Sequence, residues 1–329
     1  MTTVETVRGR INSDQLGTTL MHEHIFILTP EIKDNFGDEW WDEDVRVSDA
    51  VQKLNALKAS GVDTIVDLTV LGLGRFIPRI QRVNEMADIN ILVATGAYIS
   101  GELPSFFHGR GPGTFLGGSD YLAEMFISDI RRGIGNTGIK AAVLKGVIER
   151  SGLTQDQTRV QLAICEAHSE TGVPITVYTD SEAQTGRLAI SFYRDHGVDL
   201  SKVIIAHAGD SNDLDYLKWI MDAGATIGCD RFGLDMIRTS AERVLTIAAL
   251  CRDGYADRIV LSQDAACFMD NLADPYSRSE LERLAPEWHY LHIQEHVVPL
   301  LIEQGVTRQQ VMQMMVENPK RYFFESAHA

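Results

Sequence analysis

Long apolar runs are missing from this chain. No stretch of its 329 residues approaches the roughly 18 apolar side chains of a membrane-spanning helix, so no span is expected. The opening MTTVETVRGR has no apolar core of the kind a secretory leader carries, and we expect a cytoplasmic protein. Cysteine is scarce. The four present, Cys165, Cys229, Cys251 and Cys267, form no CxxC pair, which argues against a zinc knuckle or thioredoxin-like centre and predicts buried, reduced thiols. Basic charge is short as well, with 30 Lys and Arg against 46 Asp and Glu. A net charge of −16 repels phosphate backbones and anionic lipid, so neither nucleic acid nor a membrane surface is an expected partner. The glycine-rich LGLGR at 71–75 lacks the lysine of a phosphate loop, which rules out nucleotide binding through that motif.

What is present is an alternation. Short runs rich in Val, Ile, Leu and Thr recur at 19–26 (TLMHEHIF), 64–69, 91–98, 142–148, 175–180, 203–209, 226–230 and 259–265. They show little polar/apolar alternation, as expected of parallel strands buried on both faces. Between them lie helical patterns that stop at glycine: 51–60 before Gly61, 158–170 before Gly172, 213–223 before Gly224 and 241–253 before Gly254. Eight strands alternating with helices predict an α/β fold, a closed (β/α)8 TIM barrel, with residues 1–329 as a single domain. The stretch 268–286, after the last predicted strand, is too long for a minimal connection. In a barrel it would overhang the mouth, where such loops shape substrate choice.

Polar residues mark the strand ends. His22 and His24 stand two apart in a strand, so both imidazoles point the same way and can bind one metal ion. Lys145 sits among apolar neighbours in VLKGV, where a lysine is costly unless paired or modified. His207 in IIAHAGD and Asp264 in VLSQDA end two further strands. Singly, each reads equally well as a satisfied buried polar group. Together with the His pair they point to a metal centre, because imidazole plus carboxylate suits zinc or another first-row divalent ion. His289, His292 and His296 read as helix-face histidines near the barrel rim rather than a second metal site, and His108 as a loop residue.

The motifs TLMHEH (19–24), VDTIVDLTV with LGLGR (62–75), the lysine of VLKGV, AHAGDS (206–211), CDRFGLD (229–235), SQDA (262–265), WHYLHI (288–293) and NPKRYF (318–323) span nearly the whole chain. In these the sequence resembles the phosphotriesterase family of the amidohydrolase superfamily, and most of all its lactonase branch. The resemblance implies a carboxylated Lys145 bridging two metal ions. His22, His24 and Asp264 would hold the more buried ion, and His207 with Lys145 the more exposed one. It further implies a hydroxide nucleophile with Asp264 as proton shuttle, Tyr98 and Arg231 against the substrate, and a homodimer.

The sequence departs from the family pattern at Gln263, where the family commonly carries His or Asn before the ligand Asp264, and more consequentially on the fifth strand. Where the family carries a histidine ligand on the fifth strand, this chain reads Val177-Tyr178-Thr179-Asp180. A phenol, with pKa about 10, is a poor ligand at neutral pH unless a metal deprotonates it. Asp180 lies two residues on, on the same strand face. Three readings follow: two ions with Tyr178 or Asp180 as substitute ligand; one ion at His22, His24 and Asp264 with Tyr178 shaping the pocket; or a barrel that no longer hydrolyses and binds a small apolar ligand. The leading expectation is a metal-dependent hydrolase of the lactonase type, opening acyl-homoserine or other apolar-tailed lactones, with promiscuous phosphotriesterase activity. The runner-up acts on a different ester, amide or lactone through Tyr178 and Asp180. One or two divalent ions are expected, zinc first, with iron, cobalt or manganese as alternatives. Arg231 alternatively reads as an ion-pair partner of Asp230 or Asp235.

Overall fold

The computed structural model describes residues 3–99, 101–270 and 283–324. It opens with an antiparallel hairpin, β1 (Thr3–Thr6) and β2 (Gly9–Asn12), that the strand pattern did not predict. The predicted strands then follow in order: β3 (Thr19–Ile27), β4 (Thr64–Asp67), β5 (Asn90–Gly96), β6 (Val143–Ile148), β7 (Ile175–Thr179), β8 (Val203–Ala206), β9 (Thr226–Cys229), β10 (Ile259–Leu261) and β11 (Ala266–Met269). All pair in parallel, in the spatial order β10-β9-β8-β7-β6-β5-β4-β3-β11.

β10 and β11 are two halves of one eighth strand. The first half pairs with β9 and the second with β3, so the sheet returns to its own beginning. Between the halves, the Asp264 N–H donates to the His22 carbonyl at 3.0 Å and the His24 N–H to the Ala265 carbonyl at 2.9 Å, which carries the seam across the break. The result is a (β/α)8 barrel. The eighth strand, expected over 259–265, is instead interrupted after Leu261. It resumes at Ala266, so Phe268 and Met269 belong to the sheet rather than to the overhanging loop. Residues 271–282 of that predicted loop lie outside the described residues.

Burial follows the strand alternation. Ile65 and Ile91 pack outward against the helices, while Val66 and Leu92 turn into the barrel. The interior cluster runs from Leu16 and Tyr322 at one mouth to Tyr98 and Trp288 at the other. The helices start where side chains satisfy their free N–H groups. Asp42 caps Glu43–Ala59, and Thr154 and Gln157 form a reciprocal box at Gln155–Thr171. Thr239 and Glu242 do the same for Ser240–Arg252. Gly172 ends its helix in the left-handed region at φ 70°, as its placement had predicted. Among the described residues no helix is long and apolar enough to cross a membrane.

Candidate metal centre

The strands deliver five of the predicted side chains to one point at the barrel mouth. His22, His24, Lys145 and His207 are all at least 96% buried, and the Asp264 side chain is 17% exposed. Asp264 is the hub. Its Oδ1 lies 3.3 Å from His22 Nε2 and 3.2 Å from His24 Nε2, and its Oδ2 lies 3.8 Å from His207 Nε2. Lys145 Nζ is 3.2 Å from His22 Nε2. At Gly96, φ 132°, β5 runs so close to the Lys145 carbonyl that a side chain there would collide with it.

Each imidazole presents Nε2 because its other nitrogen is engaged. His22 Nδ1 and His207 Nδ1 bond the two oxygens of one carboxylate, Asp230, at 2.8 and 2.9 Å. The His207 backbone N–H also donates to Asp230, at 2.8 Å. His24 Nδ1 bonds Thr69 Oγ1 at 2.9 Å, and the Thr69 hydroxyl in turn donates to Asp67 at 2.6 Å. Such anchors fix tautomer and ring orientation and raise ligand basicity. Burial, with the Lys145 charge adjacent, holds the His22 imidazole down to about 3, so at neutral pH it carries the bare lone pair a metal needs. Burial lowers the Lys145 ammonium to about 8. For Asp264, burial pushes upward but the imidazoles of His22, His24 and His207 prevail and hold the carboxyl well below the usual range.

His207 and Asp264 adopt left-handed backbone conformations, φ 63° and 55°. These torsions end β8 at Ala206 and break the eighth strand at the point where each side chain must turn towards the centre. Glu23, between the two histidines, holds the break in place from behind. It is fully buried and accepts from the Ser262 hydroxyl at 2.8 Å and from the Gln263 and Ala265 N–H groups, both at 2.9 Å. Burial pushes its carboxyl up to about 8, against these donors that favour the charged form.

Sequence reading missed Glu23 and the bridging role of Asp230. A glutamate inside a strand buried on both faces needs donors, and that was the available signal. Asp230 ends a predicted strand as the other site residues do. Arg231 pairs with neither Asp230 nor Asp235. Its Nη1 lies 3.0 Å from Asp210 Oδ2 and its Nε 3.5 Å from Asp264 Oδ2, because Asp230 is already taken by the histidines. Tyr178 packs edge-on to His207, ring centroids 4.7 Å apart, and to Tyr98 at 5.8 Å, with the Arg231 guanidinium 5.2 Å from its ring. Burial and the Tyr178 neighbour push the Tyr98 phenol up, so it stays neutral. Asp180, offered above as a substitute ligand, turns into its own loop. Its carboxylate accepts from the Ala183 N–H at 2.7 Å and from Arg150 Nε at 3.2 Å.

The donor set fits a divalent cation. His22, His24 and Asp264 offer ligand atoms within 4.8 Å of one another, with imidazole nitrogens and a carboxylate oxygen of the right chemistry. A second grouping, His22, His207 and Asp230, is the hydrogen-bonded back of the same site rather than another ion position, because both Nδ1 atoms already bond Asp230.

A family model described as the phosphotriesterase family matches residues 2–323. The chain belongs to the phosphotriesterase family. Over 324 residues it is 47% identical to a phosphotriesterase homology protein of Mycobacterium tuberculosis (strain ATCC 25618 / H37Rv), covering 98% of each chain. It is 35% identical to the aryldialkylphosphatase of Saccharolobus solfataricus, covering 96% of this chain and 98% of that one. A solved structure of the phosphotriesterase from Mycobacterium tuberculosis superposes with a TM-score of 0.94 at 46% identity, covering 98% of both chains. This phosphotriesterase-family member therefore shares the fold of an experimentally determined relative along nearly all of its length.

Proposed function

We propose that this phosphotriesterase-family protein is a metal-dependent hydrolase that opens lactones, acyl-homoserine or other apolar-tailed rings, with phosphotriester cleavage as a side activity. One observation carries the reading: His22 Nε2, His24 Nε2 and Asp264 Oδ1 converge, and the opposite nitrogen of each imidazole is anchored. These ligands suit zinc first, with iron, cobalt or manganese as alternatives. A bound divalent cation supplies Lewis acidity, lowering the pKa of water and polarising a carbonyl or phosphoryl oxygen.

The residues divide the remaining work. Asp264 Oδ1 faces His22 Nε2 and His24 Nε2 and would join them in holding the cation, which leaves Oδ2 to take the proton from attacking water and return it to the leaving oxygen. Arg231, 3.5 Å from Oδ2, keeps that carboxylate charged and positions the substrate's ring oxygen. Tyr98, Ala266 and Trp288, partly buried against the interior cluster, offer an apolar wall for the tail. Lys145, buried and with no ion-pair carboxylate at its nitrogen among the described residues, is placed to be carboxylated; it would share a second cation with His207 where a fifth-strand ligand completes that position.

The packing of Tyr178 against His207 and Tyr98 favours a single tightly held cation at His22, His24 and Asp264, with Tyr178 shaping the pocket. The test is metal analysis of protein purified without added metal, followed by turnover of acyl-homoserine lactones, γ- and δ-lactones and an aryl phosphotriester. Chelation is expected to abolish lactone opening and zinc to restore it. Binding of a lactone without turnover under any divalent metal would overturn the reading and favour a ligand-binding barrel.

A further inference from the structure

A second group of metal-ligating side chains lies away from the strand-end centre. His292 precedes the π-helical turn Ile293–Val297 and His296 lies within it. Their spacing of four sets both imidazoles on one face, ring centroids 5.2 Å apart. Glu287 Oε2 faces them, 3.3 Å from His292 Nδ1 and 3.7 Å from His296 Nε2. The ligand atoms of all three residues lie within 4.8 Å of one another. Ligand atoms on a tetrahedral zinc, each at about 2.0–2.1 Å, stand roughly 3.3 Å apart, so the group is close to closing on an ion.

His292 is the informative member. Its side chain is only 4% exposed, and its buried Nδ1 makes no hydrogen bond among the described residues. The ring's other nitrogen, Nε2, lies 2.9 Å from Ser240 Oγ. That hydroxyl donates to Asp235 Oδ1 at 3.1 Å. Its single proton goes to the carboxylate, the stronger acceptor, so Ser240 Oγ accepts from Nε2–H. Nδ1 is then left with a bare lone pair opposite a carboxylate oxygen. Two acceptors 3.3 Å apart repel; a cation between them reverses the sign. The same histidine–hydroxyl–aspartate relay orients His24 through Thr69 and Asp67 at the strand-end centre.

We propose that Glu287, His292 and His296 bind a zinc-type divalent cation at the rim of the barrel, separate from the strand-end centre. Such an ion would tie down the neighbourhood of Trp288, whose indole N–H donates to the Gln263 carbonyl at 2.8 Å, one residue from Asp264. At Gly233, φ 91°, the loop carrying Arg231 and Asp235 meets the Glu287 carbonyl so closely that a side chain would collide with it. The cation therefore braces the stretch holding Trp288, which this contact and the His292–Ser240–Asp235 relay seat against the loop holding Arg231.

The probe is zinc alone, titrated into the full-length protein against a chromophoric chelator. Glu287 and His296 are half exposed, so the double variant Glu287→Gln, His296→Gln is expected to fold, which a thermal melt checks. It should take up one equivalent fewer than the parent, while Asp264→Ala keeps that equivalent. Cobalt in the Asp264→Ala protein should give the visible bands of a four-coordinate ion, absent when the two rim substitutions are added. Asp235→Asn, which weakens the relay, should loosen rim binding about 10–100-fold. Equal zinc uptake by parent and double variant, or no uptake by Asp264→Ala, would overturn the proposal. None of these measurements uses turnover, so a failed lactonase assay leaves them intact.

Discussion

The two sides of the strand-end centre are built by different means. On one side, His22 and His24 each have a second hydrogen bond that fixes the ring, and Glu23 clamps the backbone that carries Asp264. On the other side stand Lys145, Tyr178 and His207. Only His207 is anchored by a carboxylate; Tyr178 is placed mainly by ring packing and its contact with Arg231, and Lys145 by apolar burial and its 3.2 Å contact with His22. Tyr178, at the position where the resemblance implies a histidine, stands on the side whose neighbours depend least on it. A ligand held through a relay cannot change alone without leaving buried polar groups unpaired, which costs about 1–3 kcal/mol. A ligand held by packing can be replaced by a ring of similar shape.

That contrast can be broken experimentally. The largest effect is expected from Asp264→Ala, which removes the hub: kcat/KM on the best lactone should fall about 10²–10⁴-fold, with loss of the tightly held metal. Second is the pH response of metal-stripped protein. His22 is held at about 3 in the fold against 6.5 when unfolded, so the unfolded chain binds the extra proton between these values. Stability should be insensitive to this group above pH 6.5 and fall as pH drops towards 3, by about 1.4 kcal/mol per pH unit. Melting curves of His22→Gln should show a shallower slope; an identical slope would refute the assignment. Third, Asp230→Asn should weaken metal binding about 10–100-fold, since one carboxylate orients two rings. Smallest is the effect on the packed side. Tyr178→His should raise strand-end metal occupancy towards two equivalents, while Asp180→Asn should change neither metal content nor stability by more than about 0.5 kcal/mol. If Tyr178→His binds no more metal than the parent, the fifth strand does not face the second ion position.

Much of this architecture was legible in the chain. The two-residue spacing of His22 and His24, and polar residues ending apolar runs at His207 and Asp264, follow from strand geometry alone, and the glycine stops located the helices. What was not legible depends on distant partners. Asp230 lies 208 positions from His22 along the chain, and no local pattern reports that its two oxygens serve two histidines. The partner of Arg231 was misread for the same reason: adjacency favoured Asp230, but that carboxylate was already committed. Asp180 shared a strand face with Tyr178 on paper, yet β7 ends at Thr179 and the loop claims its carboxylate. The continuation of the eighth strand beyond 265 was missed because the break at Ser262 and Gln263 is held by Glu23, a residue 239 positions away from the nearer of them.

The left-handed torsions at His207 and Asp264 carry an evolutionary corollary. Glycine adopts that geometry freely, whereas any other side chain gives up something on the order of 1 kcal/mol to do so. A library screened purely for heat resistance should therefore drift to glycine at 264, while at 207 the ring's bond to buried Asp230 outweighs the gain. Whatever keeps an aspartate at 264 acts on chemistry, and does so against thermal robustness.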